Sequence, residues 1–238
     1  MKKILSIVSI FLFGIVLSQN KKFKVFKSHT QIIYNVDFKA DSTLSTKSDD
    51  MLTLYIGDNE SIFQNDKKYK IDSIIDSQPF FQMSSRPMFK VSHVIKKDYQ
   101  QPDLIYSDKI ENINFGYKEK SPAMQWKLID EKKNVLTYEC YKAEATFRGR
   151  KFIAWYTKDI PIADGPYKFA GLPGLILEVY DDQENFHYKL LAITKKSQNI
   201  LYDENINFID RKKMIEARMN VIKKFTKGNI KINPIEKN

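Results

Sequence analysis

The 238-residue chain is poor in the residues that build disulfide frameworks and metal sites. It has one cysteine, Cys140, and three histidines, His29, His93 and His187. One cysteine cannot form an intramolecular disulfide, and it excludes zinc or iron–sulfur sites that need several thiolates. The histidines form no H-E-x-x-H or H-x-x-x-H pattern, so the sequence predicts no metal site and no cofactor.

Glycine and proline are also scarce, at eight residues each, whereas apolar residues make up 42% and aromatic residues 13% of the chain. This composition lacks the polar bias of disordered chains and is sufficient for a substantial hydrophobic core. The length fits one domain, or two small ones. The absence of internal repeats and low-complexity linkers favours a single domain.

Long apolar runs are missing except at the start of the chain. Met1-Lys2-Lys3 is a basic head, and residues 4–17 (ILSIVSIFLFGIVL) are followed at once by polar residues. This pattern is typical of a signal peptide, because a membrane-spanning helix needs about 20 apolar residues. We expect cleavage after residue 18, with an uncleaved membrane anchor as the alternative. The mature chain would then have no transmembrane span and would be periplasmic or secreted.

Arginine is scarce as well, because only five of the 39 basic residues are arginines. The chain has 29 acidic residues and a formal charge of +10, which falls to +8 when the two lysines of the signal peptide are removed. Arginine is the residue that reads phosphates and base edges through paired bonds, whereas lysine acts as a hydrated point charge. We therefore predict a solvated basic surface and no nucleic-acid partner, and weak attraction to anionic lipid or polysaccharide stays open.

The remaining sequence is rich in strand-like runs separated by turn residues. Two pairs of runs, each joined by a short turn, predict two hairpins: residues 135–147 with 151–157, and residues 175–180 with 186–193. A further turn is expected at residues 130–134. Several short strands at this spacing indicate a mainly β fold, in which an antiparallel sheet forms a partly open barrel or sandwich. Residues 23–117 contain strand-like runs but no chemical motif.

One amphipathic helix is predicted near the C-terminus. Asp210 is a candidate N-cap. Apolar residues recur after it at spacings of three and four: Ile215, Met219, Ile222 and Phe225. We expect this stripe to pack on the sheet or at the mouth of the barrel, and a basic helix that lies on a membrane surface is the alternative.

The loop between the two hairpins carries the most restrictive residues. Glycines at 171 and 174 can take positive φ on either side of a proline whose φ is fixed by its ring. Residues 164–166, Asp-Gly-Pro, are typical of a turn. Two interpretations stay open: a crossover loop whose Leu172 and Leu175 plug an end of the sheet, or a site for a ligand or partner. Rigid aromatic side chains give contact area at low entropic cost. The candidate binding residues are therefore Trp155, Tyr156, Pro166, Tyr167, Phe169, Gly171, Leu172, Pro173 and Gly174.

This loop resembles a known family. Residues 171–176 spell GLPGLI, the signature of the GLPGLI family of exported Bacteroidota proteins, and the flanking words FRGR (147–150) and AWYT (154–157) are similar to that family as well. The resemblance is specific over residues 126–180. It implies export and an envelope location, and it implies no reaction, cofactor or catalytic residue. Residues 19–226 would form a single β-rich GLPGLI-type domain, followed by a polar C-terminal tail at 227–238.

The usual catalytic motifs are missing. No serine lies in a G-x-S-x-G elbow. Cys140 lies within a predicted strand, where a small buried residue is typical, and in an oxidising compartment it must be buried or pair between chains. Asp181, Asp182 and Glu184 fall in a predicted turn, where solvated carboxylates are more typical than a calcium site. His187 is expected to face the surface or to be hydrogen-bonded.

We therefore interpret the chain as an exported cell-envelope protein that is not an enzyme. It would bind an envelope lipid, peptide, glycan or protein, with neither cofactor nor metal. The alternative is a hydrolase that uses dispersed carboxylates or Cys140. A purely structural part of a larger envelope assembly is the third possibility.

Overall fold

The computed structural model describes residues 23–67, 91–110 and 113–237. The predicted signal peptide, residues 1–18, lies outside the described residues. Within them the chain is mainly β, with one helix near the C-terminus, which confirms the predicted fold class. The helical residues of the described ranges form no segment long and apolar enough to cross a membrane.

The described ranges contain fourteen strands and one complete helix. In chain order they are β1 (Phe23–Ser28), β2 (Thr30–Phe38), β3 (Ser48–Ile56), β4 (Glu60–Gln64), β5 (Val94–Asp98), β6 (Asp103–Ile110), β7 (Ile113–Lys120), β8 (Lys127–Val135), β9 (Tyr138–Phe147), β10 (Arg150–Thr157), β11 (Leu175–Asp181), β12 (Phe186–Thr194), β13 (Gln198–Asp203), β14 (Asn207–Phe208) and α1 (Arg211–Phe225).

Twelve of the strands form one sheet in the order β14-β7-β6-β5-β4-β3-β2-β12-β11-β10-β9-β8. Neighbours are antiparallel except for the two-residue β14, which runs parallel to β7. β1 and β13 pair with each other as a separate antiparallel ribbon. The end strands β14 and β8 make no ladder with each other within the described residues, so the sheet is open, as the sequence predicts.

Both predicted hairpins are present, as β9–β10 and β11–β12. The turn predicted at residues 130–134 is wrong. β8 continues through these residues with a bulge between Ile129 and Lys132, and the chain turns at Leu136, whose φ is 51°. β8 is an edge strand with mostly exposed side chains, so its polar residues need no burial, and the bulge accommodates the two extra residues, 130 and 131.

The loop between β10 and β11, residues 158–174, folds onto the buried face of the sheet. Phe169 has no exposed surface, and its ring packs 4.7 Å from Phe152 and 6.1 Å from Tyr188, measured between centroids. Leu172 and Leu175 are buried, as expected for a crossover loop that plugs the sheet. The loop is therefore part of the hydrophobic core.

A single carboxylate fixes the middle of this loop. Asp164 accepts hydrogen bonds from Ser61 Oγ (2.6 Å), Tyr99 OH (2.7 Å) and the Gly165 amide (2.7 Å), and it pairs with Lys97 Nζ at 2.5 Å. Burial lowers the pKa of Lys97, and the Asp164 charge opposes that shift. The loop is thus bound to β4 and β5 through an ion pair that is almost completely buried.

Helix α1 packs against β6 and β7. Asp210 precedes the helix as predicted, but its carboxylate makes no capping hydrogen bond. Among the helical side chains that the structure describes, the most buried is Met214, which the predicted stripe omits, while Ile215 is about one-third exposed. The buried side of the helix therefore includes Met214, one residue before the start of the predicted apolar stripe.

The polar residues after the helix pack back onto the sheet. We call residues 229–237 the C-terminal segment. Asn233 N donates to Ala40 O at 3.1 Å, and Arg150 Nη2 donates to Pro234 O at 2.8 Å. The Arg150 guanidinium also pairs with the buried Asp181 at 3.0 Å, so Asp181 is not the solvated carboxylate that the sequence predicts. Backbone and side-chain groups of the C-terminal segment thus form hydrogen bonds with the sheet and with the residues that follow β2. A segment with many polar residues can pack in this way because its polar groups have partners.

Candidate functional site

A cavity of about 240 Å³ lies between the buried face of the sheet, helix α1 and the C-terminal segment. Most of its lining is apolar. β2 contributes Val36 and Phe38, α1 contributes Met214 and Met219, and the C-terminal segment contributes isoleucines at 230, 232 and 235. Three parts of the chain that are distant in sequence therefore enclose one space.

The pairing of β2 with β12 forms the apolar part of this lining. Phe38 lies opposite Phe186 and Val36 lies opposite Tyr188, so four side chains share one face of the sheet. Residues of β2 alternate between buried and half-buried, which is the period-two pattern of a strand with one face in the core. Ala40, which follows β2, extends this lining towards the C-terminal segment.

The other part of the lining is aromatic. His93 stacks on Tyr106 at 5.2 Å and meets Tyr167 edge-on at 5.4 Å, and Tyr106 stacks on Tyr117 at 4.9 Å. Tyr167 also stacks on Tyr188 at 6.4 Å, which connects these rings to the β2–β12 face. Burial is the largest cause that raises the pKa of the Tyr106, Tyr117, Tyr167 and Tyr188 phenols, so these hydroxyls stay protonated.

A buried ionic cluster adjoins the aromatic rings. Lys168 is fully buried and pairs with Glu119 at 2.5 Å and with Glu236 at 2.7 Å. Glu236 also accepts hydrogen bonds from Tyr167 and Arg211. Burial alone would raise the pKa of Glu236, but Lys168, Tyr167 and Arg211 outweigh it and hold the pKa below its ordinary value. The cluster anchors the C-terminal segment to the loop and to β7.

Arg218 brings a guanidinium from α1 to the same part of the cavity wall. Its Nη1 donates to Tyr106 OH at 2.7 Å and to Asp108 Oδ2 at 2.5 Å. Asp108 is buried and also accepts from Ser92 Oγ at 2.9 Å. Burial acts to lower the pKa of Arg218, but Tyr106 and Asp108 raise it above its ordinary value, so the guanidinium is charged.

The structure places the candidate binding residues mainly in the core. Tyr167 lines the cavity. Trp155, Tyr156, Phe169 and Leu172 are buried elsewhere by the chain's own residues. Pro166 and Gly174 are buried too, whereas Gly171 and Pro173 are exposed. A role in binding for this set stays a prediction, and the cavity includes one of its nine members.

The glycines of the loop serve its geometry. Gly174 has a φ of 149°, and a Cβ on it would lie 2.0 Å from the Thr157 carbonyl oxygen. Gly171 has a φ of 88° with open space around it. Only glycine fits at position 174 without displacing backbone, and this explains much of the restriction in the motif.

Cys140 and His187 lie away from the cavity lining. The Cys140 thiol is buried and donates a weak hydrogen bond to the Tyr138 carbonyl (3.6 Å), and burial raises its pKa to about 11. His187 Nε2 is 2.7 Å from Glu178 Oε1, so it is hydrogen-bonded as expected. A buried thiol with a raised pKa lacks the thiolate character that nucleophilic cysteines have.

The described ranges bring no three His, Cys, Asp or Glu side chains together in a group suited to a metal ion. The cavity lining offers aromatic rings, aliphatic side chains, one guanidinium and one carboxylate that is already paired. The His93 imidazole and the Asn233 side chain also belong to the lining, so an apolar space is bordered by a few polar groups.

Sequence reasoning missed most of the cavity. Val36, His93 and Tyr106 belong to the half of the chain that showed no motif, and they meet α1 only through long-range strand pairing. The alternation in β2 was a usable signal for a buried face. The isoleucines at 230, 232 and 235 were a second signal, since a polar tail rarely needs three large apolar residues close together.

Residues 147–178 match a protein family described as "Protein of unknown function (Porph_ging)". No curated protein sequence matches the chain. Two crystal structures of PNGF-II, in space groups C2 and P21, have similar folds, with TM-scores of 0.58 and 0.59 at 14% identity. The alignments cover 81% and 82% of this chain, but it spans about a third of PNGF-II, 33% and 34%. At this identity the likeness shows the fold alone.

Proposed function

We propose that this protein is an exported, non-catalytic binding protein of the cell envelope, a member of the GLPGLI family, and that it holds a small apolar or amphipathic molecule. One observation carries the proposal: the cavity of about 240 Å³ between the sheet, α1 and the C-terminal segment. The signature at residues 171–176 supports the family, and the basic head and apolar run at residues 1–17 support export.

The size and chemistry of the cavity favour a lipid-like ligand over the other envelope molecules. An apolar cavity of about 150 Å³ accommodates a molecule of the size of benzene. A cavity of about 240 Å³ therefore has room for a single alkyl chain or a small ring system, and it is too small for a folded partner or a branched glycan. Its lining by Val36, Phe38, Met214 and Met219 offers little hydrogen bonding for sugar hydroxyls.

The non-catalytic role rests on the groups that catalysis would need. The thiol of Cys140 is buried with a raised pKa, and the acids nearest the cavity, Glu236 and Asp108, are already paired with basic side chains. A general acid or base needs a free position within hydrogen-bond reach of its substrate. These observations favour binding over the hydrolase alternative.

A neutral fluorescent probe tests the proposed function. 1-Aminoanthracene becomes brighter in apolar surroundings, and we expect the purified mature protein to bind it saturably. The Val36→Phe variant fills the cavity from β2 and should abolish binding. Val25→Phe is the matched control, because Val25 lies on β1 with about half of its surface exposed.

Equal binding by the Val36→Phe variant, with a native circular dichroism spectrum, would contradict the proposal. So would a wild-type protein that binds no probe. Export is checked separately by mass spectrometry of the protein isolated from its own cells, where the expected first residue is Gln19.

A further inference from the structure

We infer that the cavity takes a single-chain monocarboxylate, with its carboxylate at Arg218 and its alkyl chain between the β2–β12 face and the C-terminal segment. This inference rests on the proposed function and adds the chemical class of the ligand. It is carried by the distribution of polar groups around the cavity and by the unused hydrogen bonds of one guanidinium.

The cavity has a polar side and an apolar side. On the polar side, Tyr106 accepts a hydrogen bond from Arg218 and stacks on His93. Phe38 and Phe186 face each other on the sheet near Ala40, where the C-terminal segment is attached by hydrogen bonds. A ligand that fills such a space is amphipathic, with one end able to form hydrogen bonds and the other end aliphatic.

Arg218 has bonding capacity left for that polar end. A guanidinium carries five N–H groups on three nitrogens. Nη1 is used by Tyr106 and Asp108, whereas Nη2 and Nε have no hydrogen-bond partner within the ranges that the structure describes. These two nitrogens form the fork that matches the two oxygens of a carboxylate. The Arg218 side chain is 29% exposed and is part of the cavity lining.

The charges at this side favour an anion with a single charge. The cations are Arg218, Lys168, Arg211 and Arg148, and they pair with three carboxylates, those of Asp108, Glu119 and Glu236. Asp108 balances Arg218, so the net excess of one positive charge belongs to the adjoining cluster, in which Lys168, Arg211 and Arg148 face Glu119 and Glu236. A cationic ligand would add to this excess, and a dianion would reverse it.

Two ligands of equal chain length and different head groups provide the test. We would measure the binding of decanoate and decanol to the mature protein by isothermal titration calorimetry. A hydrogen bond to a charged group contributes about 1.5–3 kcal/mol, so decanoate should bind at least about tenfold more tightly than decanol. The Arg218→Met variant keeps the aliphatic stem and should bind the two compounds equally.

Two further variants control for side effects on folding and on surface charge. Arg218→Met leaves the buried Asp108 carboxylate without its main partner, so the double variant with Asp108→Asn repeats the test without that charge. Lys223→Met removes an exposed cation from the same helix and should retain the preference for decanoate.

The outcomes separate this inference from the proposed function. Binding of 1-aminoanthracene and decanol without a preference for decanoate would overturn the carboxylate assignment and leave the binding role intact. A preference that persists in both Arg218 variants would also overturn it. Failure of all three compounds to bind would overturn both proposals.

Discussion

Replacing Asp164 by alanine should destabilise the protein more than almost any other single change at a polar residue. The carboxylate accepts three hydrogen bonds and pairs with Lys97, and the side chains of both partners are at most 4% exposed. Asp164→Ala would leave the Lys97 ammonium buried without a counter-charge. The loop of residues 158–174 would lose its side-chain bonds to Ser61 of β4 and Tyr99, and Lys97 of β5 would keep only the loop carbonyls of Gly165 and Phe169 as partners.

The expected magnitude follows from the burial of that pair. Removing one partner of a buried ion pair costs about 3–5 kcal/mol, because the other charge stays desolvated. The hydroxyls of Ser61 and Tyr99 would lose an acceptor as well. A whole domain is stable by about 5–15 kcal/mol, so Asp164→Ala should remove a large share of the free energy of unfolding.

Urea unfolding followed by tryptophan fluorescence measures this loss. Trp126 Nε1 donates to the Ala170 carbonyl at 2.8 Å, so one of the two tryptophans reports directly on the loop. Asp103→Ala is the matched control, because its partner Lys120 is 77% exposed and such pairs contribute about 0–1 kcal/mol. A loss below about 1 kcal/mol for Asp164→Ala would refute the reasoning, since it would show that the buried pair does not hold the loop.

Three more changes test other parts of the structure. Gly174→Ala should prevent normal folding, because the new Cβ would overlap a backbone oxygen. Gly171→Ala should lower the free energy of unfolding by only about 1–2 kcal/mol, because the positive φ is its one unfavourable feature. Similar unfolding midpoints for the two variants would contradict this. Burial alone would raise the pKa of Glu178. The hydrogen bonds from His187 and Lys133 outweigh that effect and hold the pKa at about 2. The free energy of unfolding should therefore fall between pH 4.5 and 2, and Glu178→Gln should flatten that slope; parallel pH profiles would argue against it. Cys140 should react with iodoacetamide only after unfolding, and rapid labelling of the native protein would show that the thiol is accessible.

Local patterns were sufficient to predict the hairpins of the second half. Arg148 and Gly149 both adopt positive φ in the β9–β10 turn, and the flanking strands alternate in the expected way. Turn chemistry and period-two alternation act over a few residues, so they can be read from the sequence directly. The same rules failed at residues 130–134, because a polar run looks the same in a turn and in an exposed edge strand.

The cavity depends on information that no local pattern contains. Val36 and Tyr188 meet only because β2 pairs with β12, which lies about 150 residues further along the chain. Tyr106 meets Arg218 through the packing of α1 on β6 and β7. The motif at 171–176 identified the loop as unusual. In the structure, its glycines allow the positive φ angles at 171 and 174 and the close approach of Gly174 to the Thr157 backbone.

The position of the C-terminal segment has a consequence for the order in which the protein can mature. The ribosome synthesises residues 229–237 after the strands and the helix that they cover. Lys168 and Arg150 are buried in the fold, and they obtain Glu236, Asn233 and Pro234 as partners only from this segment. Before the segment is synthesised, Lys168 has Glu119 and Tyr117 as partners and Arg150 has Asp181.

Packing of the core is therefore coupled to synthesis of the C-terminal segment. A nascent chain that still lacks residues 229–237 would have a loosened core and an uncovered cavity, and proteases act preferentially on such states. The stability of the sheet thus depends on residues that are synthesised after all of its strands.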